Sequence, residues 1–248
     1  MAGARPRTAV RTAVVWEVLR DALATLAPDG APLRVLDAGG GTGGFAVPLA
    51  ELGHHVTVVD PSPDSLAALD RRAAESGASG QVQAVQGDVA GLADVVEAGS
   101  VDLVLCHSVL EVVDDPAAAL MAVARALRPG GMASILAANR VAAVLARVAA
   151  GRLAEARRVL DDPSGWAGEG DPLARRFTVD ELSDLVVHAG LRPRLTHGVR
   201  VFADVVPAAL VDGDPDAARE LLALEHAAAD RPDYIALAAG LHVLADRG

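Results

Sequence analysis

Asp37, the glycines of Gly39-Gly40-Gly41-Thr42-Gly43-Gly44, Asp60, Asp88 and His107 are the residues in the first half of this chain whose types and spacing suit ligand chemistry. Clustered glycines let a ligand approach the backbone, and a helix beginning behind them offers free N–H groups. Such a loop by itself suits an anion. Asp37 changes that expectation, because a carboxylate beside the loop repels a pyrophosphate and suits a ligand carrying an ammonium group. Asp60 follows twenty-three residues later, at the end of the next apolar run. His107 ends another. Arg11, Arg140 and Arg200 are cations that could hold a carboxylate; from the residues alone Arg11 reads first as a surface arginine.

The elements that must position these residues follow from apolar periodicity. A first helix is expected from about Thr8 to Leu26, ended by Pro28-Asp29-Gly30. Leu33 to Leu36 reads as a strand, the glycines as a tight turn, and Phe45 to Leu52 as a helix. Val56 to Asp60, Val82 to Val85, Val101 to Cys106 and Met132 to Ala137 read as further strands, with helices between them. Short regular alternation of this kind implies a parallel sheet covered on both faces. After Asn139 the rhythm breaks into an arginine-decorated helix pair over 140–160 and an Asp-, Gly- and Pro-rich loop around Trp166. Thr178 to Glu181 is a capping box opening a helix that Gly190 stops. Strands are expected at Leu195–Phe202 and Leu241–Ala245. His54 and His55 fall on the amino-terminal sheet edge and are expected at the surface. The expected architecture is a single α/β domain over 1–248, with a Rossmann-like, seven-stranded, mostly parallel sheet. An N-terminal helix (1–28) lies over the ligand site, and a small helical and loop cap is inserted at 139–177.

Composition bounds the function. The 248 residues carry a net charge of −11, and all 22 basic residues are arginine. That charge disfavours broad nonspecific binding to nucleic acid, though not a local arginine patch. The mean hydropathy of +0.31 and 52% hydrophobic content describe a globular chain. One cysteine, Cys106, excludes an internal disulfide and a thiolate-rich metal site. Glu111, Asp114 and Asp115 resemble a metal cluster only superficially, since Pro116 and helix capping account for the aspartates, and no metal is implied. The opening Met1–Arg7 has no signal-like apolar core, and no long uncharged apolar segment follows. The expected address is the cytoplasm, without a membrane partner.

Gly39, Gly41 and Gly44 fit the dinucleotide pattern G-x-G-x-x-G, with Asp60 where a ribose-binding acid would sit. Gly39, Gly41 and Gly43 after Asp37 equally fit D-x-G-x-G-x-G, the pattern of class I S-adenosylmethionine-dependent methyltransferases. Asp60 at the end of strand two, Gly87-Asp88 at the end of strand three and Leu127-Arg128-Pro129-Gly130-Gly131 before strand five favour the second reading. Beyond the superfamily, the sequence resembles the bacterial tRNA 5-carboxymethoxyuridine methyltransferases almost end to end. The resemblance runs through Arg11 and Trp16, Val35 to Gly41, His107-Ser108-Val109-Leu110-Glu111, Leu127 to Gly131, Gly198-Val199-Arg200-Val201-Phe202, Tyr234 to Leu237 and Leu241-His242-Val243. It implies that Arg11, Gly39, Gly40, Asp60 and His107 contact S-adenosyl-L-methionine, with Gly87 and Asp88 at the adenine. It departs from the family at Ala137-Ala138-Asn139, where an aromatic is usual before the Asn, and in the absence of lysine from 140–200.

Methyl transfer to a carboxylate needs no general base, because the acceptor is already ionised at neutral pH. It needs an arginine to hold the acceptor, and Arg200 is the first candidate, Arg140 the second. A hydroxyl or amine acceptor would make His107 a candidate base. The arginines of 140–176 read either as phosphate contacts to tRNA or as a solvated helix face. The alternatives are a small-molecule O- or N-methyltransferase, a non-catalytic cofactor-binding protein, and a nicotinamide oxidoreductase. The acceptor and the oligomeric state stay open at this level.

Overall fold

A computed structural model describes residues 6–248, with side chains from Val10 onward. The reading of the start therefore falls largely outside the described residues. In chain order the elements are α1 (Pro6–Leu26), β1 (Arg34–Ala38), α2 (Ala46–Glu51), β2 (His55–Asp60), α3 (Pro63–Glu75), β3 (Val82–Gln86), α4 (Leu92–Val95), β4 (Val101–His107), α5 (Pro116–Ala126) and β5 (Leu127–Ala138). There follow α6 (Arg140–Ala149), α7 (Leu153–Asp161), α8 (Val179–His188), β6 (Leu191–Val199), α9 (Ala208–Gly213), α10 (Pro215–Ala228), α11 (Pro232–Ile235) and β7 (Gly240–Arg247). The strands make one seven-stranded, mostly parallel sheet in the order β3-β2-β1-β4-β5-β7-β6. That is the Rossmann-like α/β class the alternation predicts. The chain divides into two compact units. A glycine-loop unit comprises Asp21–Ile135, Asp184–Arg194 and Leu244–Gly248; an arginine unit comprises Met1–Arg20, Leu136–Ser183 and Leu195–Val243.

In the glycine-loop unit β1 pairs in parallel with both β2 and β4, and β2 with β3. Leu36, Leu103 and Leu105 are completely buried, each contributing about 1.5–3 kcal/mol of apolar burial. The register sets Asp37 opposite Val58 and Leu105, and Asp60 opposite Gln86. All four strands therefore end together, and Asp37, Asp60, Gly87-Asp88 and His107 share the carboxyl edge. Strand order reverses between β1 and β4, which is where ligands bind in open parallel sheets.

The opposite edge is tied by Asp102. Its Oδ1 accepts from Arg128 Nε at 2.5 Å and its Oδ2 from the Arg34 amide at 2.8 Å, joining the starts of β1, β4 and β5. Gly131 is required there, since a Cβ would lie 2.9 Å from the Asp102 carbonyl oxygen. β5 begins at Leu127, five residues before the expected Met132. His54 corrects the surface expectation: it is buried, and its Nδ1 accepts the Leu33 amide at 3.2 Å.

In the arginine unit the capping box forms as predicted. The Glu181 carboxylate accepts the Thr178 amide at 2.8 Å, and the Thr178 hydroxyl accepts the Glu181 amide at 3.3 Å. Buried Asn139 caps α6 through the Val141 amide and donates from Nδ2 to the Ala236 and Ala238 carbonyls. β6 starts four residues before the predicted Leu195, because Pro193 is tolerated on an edge strand. It stops at Val199 rather than Phe202, because Arg200 turns into the left-handed region at φ +60°.

Candidate functional site

The glycine loop is shaped by what surrounds it. Gly39, Gly41 and Gly43 have φ of +74°, +55° and +76°, the left-handed region that glycine enters without penalty. The Gly39 amide donates to the Val59 carbonyl at 2.7 Å, which seats the loop on the end of β2. A Cβ at Gly40 would lie 2.5 Å from the Asp37 carboxyl, and one at Gly43 2.3 Å from Leu69 Cδ1. The loop is therefore pressed onto the acid on one side and the α3 core on the other.

Asp60 does more than end β2. Its Oδ2 accepts the Gly41 amide at 2.9 Å and its Oδ1 accepts the Ser62 amide at 2.9 Å. A loop amide that could have faced a phosphate is committed to a protein carboxylate. Ser62, not Asp60, caps α3, through the Ser65 amide. Asp37 is 3% exposed, and burial, reinforced by the charge of Asp60, raises its carboxyl to about 7. Two nearly buried acids beside one loop make a poor pyrophosphate cradle. They make a good one for a ligand with an ammonium and ribose hydroxyls, because each acid oxygen keeps acceptor capacity. Asp88 is exposed, and its Oδ1 is used to turn the chain at the Gly91 amide, 2.9 Å away.

His107 ends β4 on the same edge. Its Nε2 lies 2.8 Å from the Ser134 hydroxyl, and its ring meets Phe45 edge-to-face with centroids 4.8 Å apart. Burial lowers its pKa to about 3, so it is neutral at physiological pH and ill-suited to act as a base. Ser108, next in the chain, has φ +57°. Among the described residues, Ser108 and Arg200 are the non-glycine positions in the left-handed region, a conformation costing roughly 1–3 kcal/mol. Each adjoins or is a candidate site residue. The neighbouring Cys106 is buried, with its thiol pushed up to about 12, and is inert.

The arginines of the other unit are mostly engaged with its acids. Arg140 Nη2 donates to both Glu181 oxygens at 2.9 Å and to the Pro163 carbonyl at 2.6 Å, which makes it a brace for the 162–177 loop. Arg176 makes a two-pronged pair with buried Asp171, at 2.7 Å on each oxygen. Arg147 reaches Glu155 and Asp171, Arg152 reaches Glu155, and Arg157 reaches Asp161. Arg147 and Arg176 are largely buried in this network, whereas Arg152 and Arg157 pair with acids on an exposed face. Sequence reading also missed Asp204, which pairs with Arg11 at 3.1 Å and with Arg200 at 3.5 Å. Nothing in its local sequence signals this.

A family model described as a methyltransferase domain matches residues 36–135. The chain is 33% identical over 246 residues to the tRNA 5-carboxymethoxyuridine methyltransferase of Escherichia coli (strain K12), covering 95% of this chain and 87% of that protein. It is 37% identical over 150 residues to a ubiquinone biosynthesis O-methyltransferase of Methylocella silvestris, covering 58% of this chain and 52% of that protein. Among solved structures, an S-adenosylmethionine-dependent methyltransferase from Methanosarcina mazei matches with a TM-score of 0.63 at 17% identity, over 93% of this chain and 96% of that one. Geranyl diphosphate C-methyltransferase from Streptomyces coelicolor A3(2) matches at 0.60 and 16%, over 95% and 77%. These two share the fold. The loop, its acids and the matches define an S-adenosylmethionine-dependent methyltransferase, and the nicotinamide and non-catalytic readings fall away. The chain belongs to the family of the Escherichia coli tRNA 5-carboxymethoxyuridine methyltransferase.

Proposed function

We propose that the chain methylates the carboxylate of a carboxymethoxy group on the wobble uridine of tRNA in the cytoplasm, forming a methyl ester. The observation that carries this reading is the extent of the match to the Escherichia coli enzyme, which runs through both units. The ubiquinone relatives match 58% of the chain or less, and the chain spans about half of their length. A small-molecule acceptor is the second reading, favoured by those relatives alone.

The glycine cradle fits the cofactor: Asp37 faces Gly40 where a side chain would not fit, and Asp60 anchors Gly41. In this reading Asp37 meets the ammonium, Gly39, Gly40 and Gly41 give close backbone approach, and Asp60 accepts ribose hydroxyls. Gly87 and Asp88 border the adenine, His107 packs as a neutral ring and Arg11 takes the methionine carboxylate. S-adenosylmethionine supplies an electrophilic methyl on a sulfonium. When bound it would give that methyl to the acceptor carboxylate oxygen and leave as S-adenosylhomocysteine, so this chain would need no group to move a proton. A neutral His107 is consistent with chemistry that requires no base. The protein contributes positioning and a site from which water is excluded.

The test incubates the purified protein with S-adenosylmethionine labelled in its methyl group and tRNA bearing or lacking the carboxymethoxy group, followed by nucleoside mass spectrometry. A labelled methyl ester from the carboxylated tRNA alone is expected. No label in either tRNA would overturn the reading in favour of the small-molecule acceptor.

A further inference from the structure

We propose that the α6–α7 hairpin of the arginine unit docks on the same hairpin of a second copy of this chain. The proposal concerns the arginine unit alone and is independent of the methyl acceptor. α6 is amphipathic in the reverse of the usual sense. Its two arginines, Arg140 and Arg147, turn inward to Glu181, Glu155 and Asp171, and their side chains are 17% and 12% exposed. All its other residues are Ala, Val or Leu, and no residue of the helix is buried. Val141, Leu145 and Val148, at the i, i+4, i+7 spacing of one helix face, are 38%, 50% and 49% exposed. α7 packs on α6 and extends the surface: Leu153, Arg157, Leu160 and Asp161 are all exposed, at the i, i+4, i+7, i+8 spacing of one face. A hairpin that satisfies its charges inside and shows its Val and Leu side chains to water is built to be covered.

The charges on this surface select the occupant. Arg157, between the two exposed leucines of α7, is matched by Asp161 at 3.3 Å, and Arg152 at the start of α7 by Glu155 at 3.5 Å. Arg158, on another side of α7, is turned to the Ala167 carbonyl at 2.7 Å. An RNA backbone is held by cations in surplus, and a bilayer surface by a basic face flanking the apolar one. The outward face of α6 carries no cation, and that of α7 pairs its cation with an acid. A two-fold contact instead needs a surface that complements itself, and this one does. In an antiparallel crossing of α7 with its copy, Arg157 meets the partner's Asp161 and Asp161 meets the partner's Arg157. Exchanging partners costs little for a pair this exposed. The same crossing covers Leu153 and Leu160, with Val141, Leu145 and Val148 beside them.

Sedimentation velocity of the full chain at concentrations up to about 100 µM reads the assembly, and thermal unfolding checks that each variant is folded. Wild type is expected as a dimer at the upper concentrations. Leu145→Asp, at an exposed position, is expected to stay monomeric throughout. Arg157→Asp sets like charges against each other across the two-fold and is expected to raise the dimer Kd about ten-fold. Combining it with Asp161→Arg restores the opposite charges and is expected to return the Kd to that of wild type. A wild type that stays monomeric, a dimer that survives Leu145→Asp, or a double variant no tighter than Arg157→Asp alone overturns the proposal. A monomer in which Leu145→Asp abolishes binding of an anticodon stem-loop RNA or of anionic vesicles also overturns it, and gives the face to that partner.

Discussion

The glycine-loop unit and the arginine unit use charge in opposite ways. In the first, two acids lie almost buried without a cationic side chain among the partners described for them: Asp37 faces Gly40, and Asp60 binds loop amides. In the proposed reading these acids serve the ligand. In the second, acids and arginines neutralise one another, as in Arg176 with Asp171 and Arg140 with Glu181. The contrast separates a site from a scaffold. An acid kept partly neutral by burial signals ligand chemistry, whereas an arginine cluster rich in acids signals stability. Shared acids recur there: Asp204 pairs with Arg11 and Arg200, as Asp171 does with Arg147 and Arg176.

Breaking the scaffold has the largest expected effect. Burial pushes the Asp171 carboxyl up, but the hydrogen bonds from Arg176 and from the Ala167 and Leu173 amides outweigh it and hold the pKa near 2. Asp171→Ala leaves Arg176 buried without its partner and should cost about 3–5 kcal/mol in chemical denaturation. A cost below about 1 kcal/mol would show that the network is ornamental. In the loop, Gly43→Ala should destabilise by about 1–3 kcal/mol, since the new Cβ meets Leu69 and φ is positive. Gly44→Ala, with open space around it, is the control and should be nearly neutral.

The smallest expected effect is a pH dependence that belongs to the first unit alone. The folded pKa of Asp37 is raised from 3.8 to about 7. Its neutral form is therefore favoured in the folded protein, and the corresponding stability is present at low pH and lost as pH rises through 7. Wild type should lose stability relative to Asp37→Asn between about pH 4 and 7, with no further loss above that range. S-adenosylhomocysteine should bind more tightly over the same rise, since its ammonium favours the ionised carboxyl. Parallel pH curves for the two proteins would remove Asp37 from the ammonium site.

The sequence makes the sheet and the cofactor edge readable because both depend on local rules. Apolar runs, glycines before a helix and acids at strand ends all lie within a few residues of the elements they control. Asp37, Asp60 and His107 reach one edge because parallel register is fixed by the same runs. What escapes is whatever depends on distant pairing. Arg140 looks like a ligand contact until Glu181, forty-one residues on, takes its guanidinium. Glu225 looks like an ordinary helix acid, yet it holds the 201–203 backbone from more than twenty residues away. His54 looks solvent-facing because its partner is a main-chain amide, which no residue type reveals.

The glycine loop anchored by Asp60 is proposed as the cofactor site. Titrating S-adenosylhomocysteine into wild type and Asp60→Asn tests it most directly, because asparagine keeps the shape and one acceptor while removing the charge. A loss of affinity of about thirty-fold or more, worth roughly 2 kcal/mol, is expected in a protein that still unfolds cooperatively. An Asp60→Asn protein that binds S-adenosylhomocysteine as tightly as wild type would contradict it.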